Sequence, residues 1–163
     1  MEVDACALAW PLAVPAHLRV WPDGVGQFAA RRRNDVHTGV DLYCELGTDV
    51  VAMERGRVVA VEWFTGQHCP AGDSALMSTW WNDTQIILIE GSSGVLGYGE
   101  VTPDTVLVKV GEVVDQGQPI AKINRAVLRS NKGRPMVMLH VERYACLMPP
   151  VNGMHTAWWG LTL

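Results

Sequence analysis

Long hydrophobic runs are missing from this sequence. No stretch approaches the roughly 18 consecutive apolar residues that a membrane-spanning helix requires, although apolar residues make up 48% of the 163-residue chain. An excess of basic residues is missing too, because the formal net charge is −4. A nucleic-acid-binding protein usually carries a basic stripe, and we interpret the one basic run, residues 31–33, as a solvated loop. These absences predict no membrane span and argue against nucleic acid as a partner.

Cysteine pairs of the CxxC type are also missing. Cys6, Cys44, Cys69 and Cys146 are widely spaced, so we expect neither a zinc knuckle nor a disulfide scaffold but free, mostly buried thiols. The N-terminus carries acidic residues where an export signal would carry basic ones. The compartment therefore stays open between the cell interior and export with a leader outside this sequence.

Helical patterning is missing as well, since no apolar stripe with a 3.6-residue period persists for three turns. Short runs rich in Val and Ile, bounded by Gly, Pro, Asn or Asp, recur instead and predict strands. These runs are residues 40–43, 56–61, 85–89, 94–98, 106–110, 119–123 and 137–141. The pattern predicts an all-β fold, a small and mostly antiparallel sandwich or partly open barrel without long helices. No boundary is visible, so we expect one domain over residues 1–163.

A long connection, residues 65–83, separates two of these strand signals. Loops of this length inside compact domains are usually functional or disordered, and the pair Trp80-Trp81 argues against disorder because indoles rarely stay wholly in water. The two tryptophans either pin the loop to the body of the protein or form a wall of a substrate groove.

Two segments carry residues that suit a metal ion. His37 and Asp41 are four residues apart at the start of a strand signal, so both side chains point to one face, and Gly39 between them has no side chain to block an ion.

In the run 136–143, alternation puts Val137, Leu139 and Val141 on the core face and Met138, His140 and Glu142 on the other. If that second face meets His37, two imidazoles and a carboxylate form a three-ligand set that suits zinc and leaves a fourth position open. Taken alone, a histidine on a strand is more often structural than a ligand.

The same residues resemble the lysostaphin/LytM family of zinc endopeptidases, which cut peptide cross-links in bacterial cell walls. His37 to Asp41 reads HTGVD, like the family's H-x-x-x-D motif, and residues 138–142 read MLHVE, like its H-L-H-F-E. Residues 56–59 and 110–120 resemble two further family segments, in the family's order, so the likeness runs from about residue 10 to residue 144. The resemblance implies a small antiparallel β-fold with zinc in a groove, ligated by His37, Asp41 and His140. It also implies peptide or peptidoglycan as the partner, and a location outside the cell or in its envelope.

Two positions depart from the family pattern. The first histidine of the H-x-H triplet is replaced by Met138, and the histidine of a Y-x-H motif is replaced by Glu100. In the family these imidazoles are thought to orient the attacking water and stabilise the oxyanion, which a thioether cannot do.

Three hypotheses follow. In the first, the chain is still a peptidase and Glu100 acts as general base. In the second, it is an inactive zinc-binding module in which Glu100 closes the site as a fourth ligand. In the third, a remote one, residues 111–120 belong to a biotinyl- or lipoyl-type carrier domain. His68 is the one spare histidine that could swing over the metal, although we expect an exposed loop residue. Glu142 is expected in a surface ion pair with Arg143 or a neighbour.

Overall fold

The computed structural model describes residues 7–31, 36–70, 81–126, 136–151 and 153–155. Eight strands follow one another along these ranges. They are β1 (Val40–Tyr43), β2 (Asp49–Val51), β3 (Gly56–Thr65), β4 (Thr84–Gly91), β5 (Gly94–Val101), β6 (Val113–Val114), β7 (Pro119–Lys122) and β8 (Met138–Tyr144). Helical structure in the described ranges is limited to three 3-10 turns, Ala16–Leu18, Gly24–Gly26 and Pro103–Thr105. No helix of the described ranges has the length and apolar character to cross a membrane.

Six of the strands form one sheet in the order β1-β8-β5-β4-β3-β6, and β2 pairs with β7 in a separate two-stranded ribbon. Every pairing is antiparallel. The expected all-β, mostly antiparallel class without long helices is therefore confirmed.

Hydrophobic side chains cover both faces of the large sheet. Along β4, Ile87 and Ile89 belong to a main core, whereas Ile86 and Leu88 belong to a smaller second cluster. This alternation is what an extended strand with two buried faces requires. The second cluster consists of Ala60, Phe64, Cys69, Ile86, Leu88, Val95 and Met154. It therefore lies on the sheet face that is opposite the main core.

The alternation expected along β8 is confirmed. Leu139 and Val141 belong to the main core, and Val137 packs against it. Since neighbouring residues of a strand point to opposite faces, Met138, His140 and Glu142 project from the other face, where the second cluster lies.

Most strand expectations are confirmed, with β3, β4, β5 and β8 longer than expected, but the strand expected over residues 106–110 is wrong. Pro103 starts a 3-10 turn just before it, and the backbone N–H of Lys109 donates to the carboxylate of Glu112 at 3.0 Å. Leu107 donates one backbone hydrogen bond to Ile120 on β7, but at Lys109 a side chain accepts the hydrogen bond that a neighbouring strand would accept. The short strands β2 and β6 were not expected, because two or three residues carry too little pattern.

Of the described cysteines, Cys69 is buried, Cys44 is half-buried and Cys146 is exposed. Burial is therefore confirmed for Cys69, and the expectation is wrong for Cys146. Cys6 lies outside the described residues.

Candidate metal centre

The pairing of β1 with β8 brings the two predicted segments together. Asp41 is directly opposite His140 in the antiparallel register. His37 lies just before β1, where its backbone exchanges hydrogen bonds of 3.0 and 2.9 Å with Ala30 and Ala29. All three candidate ligands, His37, Asp41 and His140, are buried. Residues that are 103 positions apart in the chain thus share one buried site.

The three candidate ligands present one atom each to a common point. His37 Nε2 lies 3.1 Å from Asp41 Oδ1 and 3.2 Å from His140 Nδ1, and His140 Nδ1 lies 2.9 Å from Asp41 Oδ1. Zinc bonds of about 2.0–2.1 Å at tetrahedral angles separate neighbouring ligand atoms by roughly 3.3 Å. The triangle therefore fits a small tetrahedral cation after minor adjustment.

Hydrogen bonds on the far side of each imidazole define which nitrogen faces this point. His37 Nδ1 donates to the carbonyl oxygen of Gln27 at 2.8 Å, and His140 Nε2 donates to Oε1 of Glu142 at 3.0 Å. A carbonyl and a carboxylate only accept, so both of these nitrogens carry hydrogen. In the neutral rings, His37 Nε2 and His140 Nδ1 are then both lone-pair donors, as metal binding requires.

Without an ion, a proton links these atoms. Burial lowers the pKa of His140, but its hydrogen bonds with Asp41 and Glu142 and their negative charges outweigh burial and raise the pKa to about 10. Burial opposes ionisation of Asp41, yet hydrogen bonds with His140 and His37 hold its pKa well below the usual range. A metal ion would replace the proton on His140, so its uptake releases that proton.

Glu100 lies in a β-bulge near the end of β5. Gln85 pairs with Val101 and Ile87 pairs with Tyr98, so the two residues 99 and 100 oppose the single residue 86. Glu100 has the left-handed backbone angle φ of 65°, which is uncommon outside glycine. Bulges re-aim side chains and are frequent beside active sites.

The Glu100 carboxylate is buried against hydroxyl groups. Its Oε2 accepts from Thr84 Oγ1 at 2.9 Å and from Thr65 Oγ1 at 3.2 Å. Burial raises the pKa of Glu100 to about 7, although these hydroxyls and the nearby His140 oppose the rise. Among the described His, Cys, Asp and Glu residues, the one group that could share an ion is His37, Asp41 and His140. Glu100 is not part of it.

Met138 is buried on the same side of β8 as His140, two residues away. The ring of Phe64 lies 5.4 Å from the His140 ring, centroid to centroid, and fills the space over Gly99, where a Cβ would be 2.7 Å from its ring. The surroundings of His140 on this side are therefore a thioether and a phenyl ring, neither of which donates a strong hydrogen bond.

The other histidines bind elsewhere. His68 stacks on Trp63 at 4.5 Å between ring centroids, and its Nδ1 lies 3.3 Å from Asp83 Oδ2. His155 is paired with Glu62, and His17 lies in the first 3-10 turn. His68 is thus the exposed loop residue that we expected, and two imidazoles face the metal centre.

Glu142 corrects one expectation. It is 2% exposed, and its partner is His140 rather than Arg143. Alternation with Val141 puts Glu142 on the sheet face opposite the main core, and the second cluster covers part of that face. Gly39 also has a different role from the one expected: a Cβ there would lie 2.3 Å from the Val141 carbonyl oxygen, 2.9 Å from His140 Nε2 and 3.0 Å from Glu142 Cγ. Gly39 leaves room for the histidine–glutamate pair.

The long connection is described only at its two ends. Trp81 is half-buried and packs against the second cluster, which agrees with the interpretation that it pins the loop. Trp80 lies outside the described residues.

The turn between β6 and β7, residues 115–118, bears on the carrier hypothesis. It contains no lysine, and a carrier domain would need one there.

Comparison with known proteins gives the family. The model of peptidase family M23 matches residues 35–150, whereas a comparison with curated proteins finds no match.

Two solved structures share the fold. One is a zinc-containing peptidase from Vibrio cholerae, with 23% identity and a TM-score of 0.53 over 84% of this chain and 36% of that one. This chain therefore spans about a third of the length of that peptidase. The other is the catalytic domain of lysostaphin from Staphylococcus simulans, with 21% identity and a TM-score of 0.51 over 77% of this chain and 79% of that one. These two structures share the fold, and the family match covers most of the sequence: the chain belongs to peptidase family M23.

Proposed function

We propose that this domain is a zinc-dependent peptide hydrolase in which His37, Asp41 and His140 hold the ion. The convergence of three ligand atoms within 2.9–3.2 Å of one another, with Glu100 outside the group, is the observation that supports this most. Three protein ligands with a fourth position open are typical of catalytic zinc, whereas structural zinc sites are closed by four. Bound zinc would supply Lewis acidity for a peptide carbonyl and acidify a water molecule.

Glu100 is the general base in this proposal. Thr84 and Thr65 occupy its Oε2, and Oε1 accepts no hydrogen bond from the residues that the structure describes. Oε1 would accept a proton from the attacking water and return it to the leaving amine. A carboxyl group whose pKa lies near 7 is suited to exchange protons at neutral pH.

Met138 limits the rate. It occupies the position where the family has an imidazole, and a thioether cannot stabilise a developing oxyanion. Loss of one oxyanion donor lowers kcat by about 10²- to 10³-fold in other hydrolases. We therefore expect slow cleavage of cross-linked peptidoglycan or glycine-rich peptides, the substrate class that the family resemblance suggests.

The same residue favours a second candidate function. With Met138 beside His140 and two imidazoles at the site, the domain could bind a peptide or cell-wall partner without cutting it. In that case the metal would stabilise the fold and the domain would act as a recognition module. The hydrolase would cleave its substrate and stop when a chelator removes the metal, whereas the recognition module would not cleave at all.

The first experiment measures zinc content and hydrolysis of cross-linked peptidoglycan, with and without chelator. We expect about one zinc per chain, a loss of most zinc in His140→Ala, and no loss in the control His68→Ala, because His68 is held by Trp63 and Asp83 instead. Cleavage should stop with chelator and rise about 10- to 10³-fold in Met138→His.

The outcomes separate the two functions. Cleavage that chelator abolishes and Met138→His increases supports the hydrolase. One bound zinc per chain, with no cleavage by the wild type or by Met138→His while an active relative cleaves the same substrate, supports the recognition module. Absence of zinc in the purified and reconstituted protein contradicts both.

A further inference from the structure

Behind the metal centre lies a further buried carboxylate, which the proposed mechanism does not use. Glu142 is 2% exposed and accepts the Nε2–H of His140 at 3.0 Å. We propose that Glu142 is a positioning residue that holds His140 in its metal-binding tautomer and supplies charge to the site. This inference rests on the proposed zinc site and adds a residue to it.

The hydrogen bond determines which nitrogen of His140 is available. When Nε2 donates to Glu142, the neutral ring has its lone pair on Nδ1, which is the atom that faces Asp41 and His37. Metal-binding histidines commonly donate their other nitrogen to a carboxylate in this way, which orients the ring and makes it a better ligand. His37 has a neutral carbonyl in the corresponding place.

The carboxylate is itself held from two sides. Thr38 Oγ1 donates to Oε1 at 2.5 Å, and the hydroxyl of Tyr144 donates to Oε2. Thr38 lies between the two ligands of the first motif, so this contact connects the segment of His37 and Asp41 to β8. Such an arrangement restrains Glu142 and does not suit a surface ion pair, which would leave the carboxylate in water.

Charge balance gives a second reason for a glutamate here. Two neutral imidazoles and Asp41 bring one negative charge to a dication, which leaves one positive charge on the ion and its three protein ligands. A buried unbalanced charge is unfavourable. Glu142, one imidazole ring away, is the buried carboxylate that accepts from His140 and supplies a second negative charge.

The test is the zinc dissociation constant, measured by competition with a chromogenic chelator. Glu142→Gln keeps the size of the side chain and an oxygen that accepts from His140, and it removes the charge. We expect zinc affinity to fall about 10- to 100-fold, the range found for such outer partners. Thr38→Val removes the hydroxyl that donates to Glu142 and should cause a smaller loss of zinc affinity. Thr38→Ser keeps a hydroxyl and should bind zinc as tightly as the wild type.

The matched control is Glu62→Gln. Glu62 also forms a carboxylate–histidine pair, with His155, and neither residue belongs to the metal centre, so zinc affinity should not change. Urea unfolding of each metal-free variant separates loss of affinity from loss of folding.

Three results decide the inference. A wild-type protein that binds zinc while Glu142→Gln and Thr38→Val bind it equally well would overturn the role of Glu142 and leave the zinc site standing. Selective weakening in these variants, with Glu62→Gln unchanged, supports it. A wild-type protein that binds no zinc would overturn both the site and this inference. If Glu142→Gln does not fold, Thr38→Val and its Thr38→Ser rescue carry the test.

Discussion

At the scale of single residues, burial and hydrogen bonding act on Glu100 in opposite directions. Burial raises its pKa from an ordinary 4.5 to about 7, against the hydroxyls of Thr84 and Thr65. Because the pKa is higher in the folded protein, folding favours the protonated acid. That contribution to stability is complete below pH 4.5 and is lost as the pH rises through about 7.

The variant Glu100→Gln tests this directly, because the amide is neutral at every pH. In the presence of chelator, we expect the variant to be more stable than wild type by on the order of 3 kcal/mol at about pH 8. The difference should shrink towards about pH 4.5. Urea unfolding at several pH values measures it, and the exposed Glu90 on β4 provides the control Glu90→Gln. A difference that is the same at low and high pH would show that Glu100 is not a buried, pKa-shifted acid.

At the residue scale, the sequence predicted the site residues that belong to a recognisable motif. The positions of His37, Asp41 and His140 follow from a spacing of four and from alternation on a strand, and the structure brings all three together. The bulge at Glu100 leaves no mark in the sequence, since it depends on how β5 pairs with β4. Glu142 was misread because a charged residue is usually exposed, and only the covering of both sheet faces buries it.

At the scale of elements, β1 and β8 pack so closely that a side chain at position 39 has no room. A Cβ on Gly39 would lie 2.3 Å from the backbone oxygen of Val141, and backbone cannot move aside as a flexible side chain can. We expect Gly39→Ala to lower the free energy of unfolding of the metal-free protein by about 1–3 kcal/mol and to weaken zinc binding, because β1 and β8 carry ligands.

Gly97→Ala is the control for this prediction, since its new Cβ would meet the ends of the Leu88 and Ile86 side chains at 3.1 and 3.2 Å. Those ends can shift. Equal losses of stability in the two variants, measured by urea unfolding, would contradict a special role for the close approach at Gly39.

Strands were predictable from sequence where β-branched residues form a run, as in β4, or where core-facing apolar residues alternate along the chain, as in β8. The prediction failed at residues 106–110, where the same residue types follow the turn at Pro103 and the N–H of Lys109 donates to the Glu112 side chain. Local pattern reports which residues suit a strand, but a strand also needs a neighbour, and the neighbour is set by the rest of the fold.

At the scale of the whole molecule, the pairing of distant strands creates the site. A match to peptidase family M23 over residues 35–150 and two solved structures with the same fold agree with the resemblance read from four ordered motifs. The chemistry is less predictable from the sequence, because it depends on whether Glu100 contacts the ion or remains with Thr65 and Thr84. Motif spacing carries no information on that distance.

A crystal structure of the zinc-loaded protein, with the ion located by its anomalous scattering, tests the central claim most directly. We expect zinc bound to His37 Nε2, Asp41 Oδ1 and His140 Nδ1 at about 2.0–2.2 Å, and Glu100 separated from it by a water molecule. Zinc at another place would contradict the site itself. Glu100 bound directly to the ion as a fourth protein ligand would contradict the open, catalytic centre proposed for this domain.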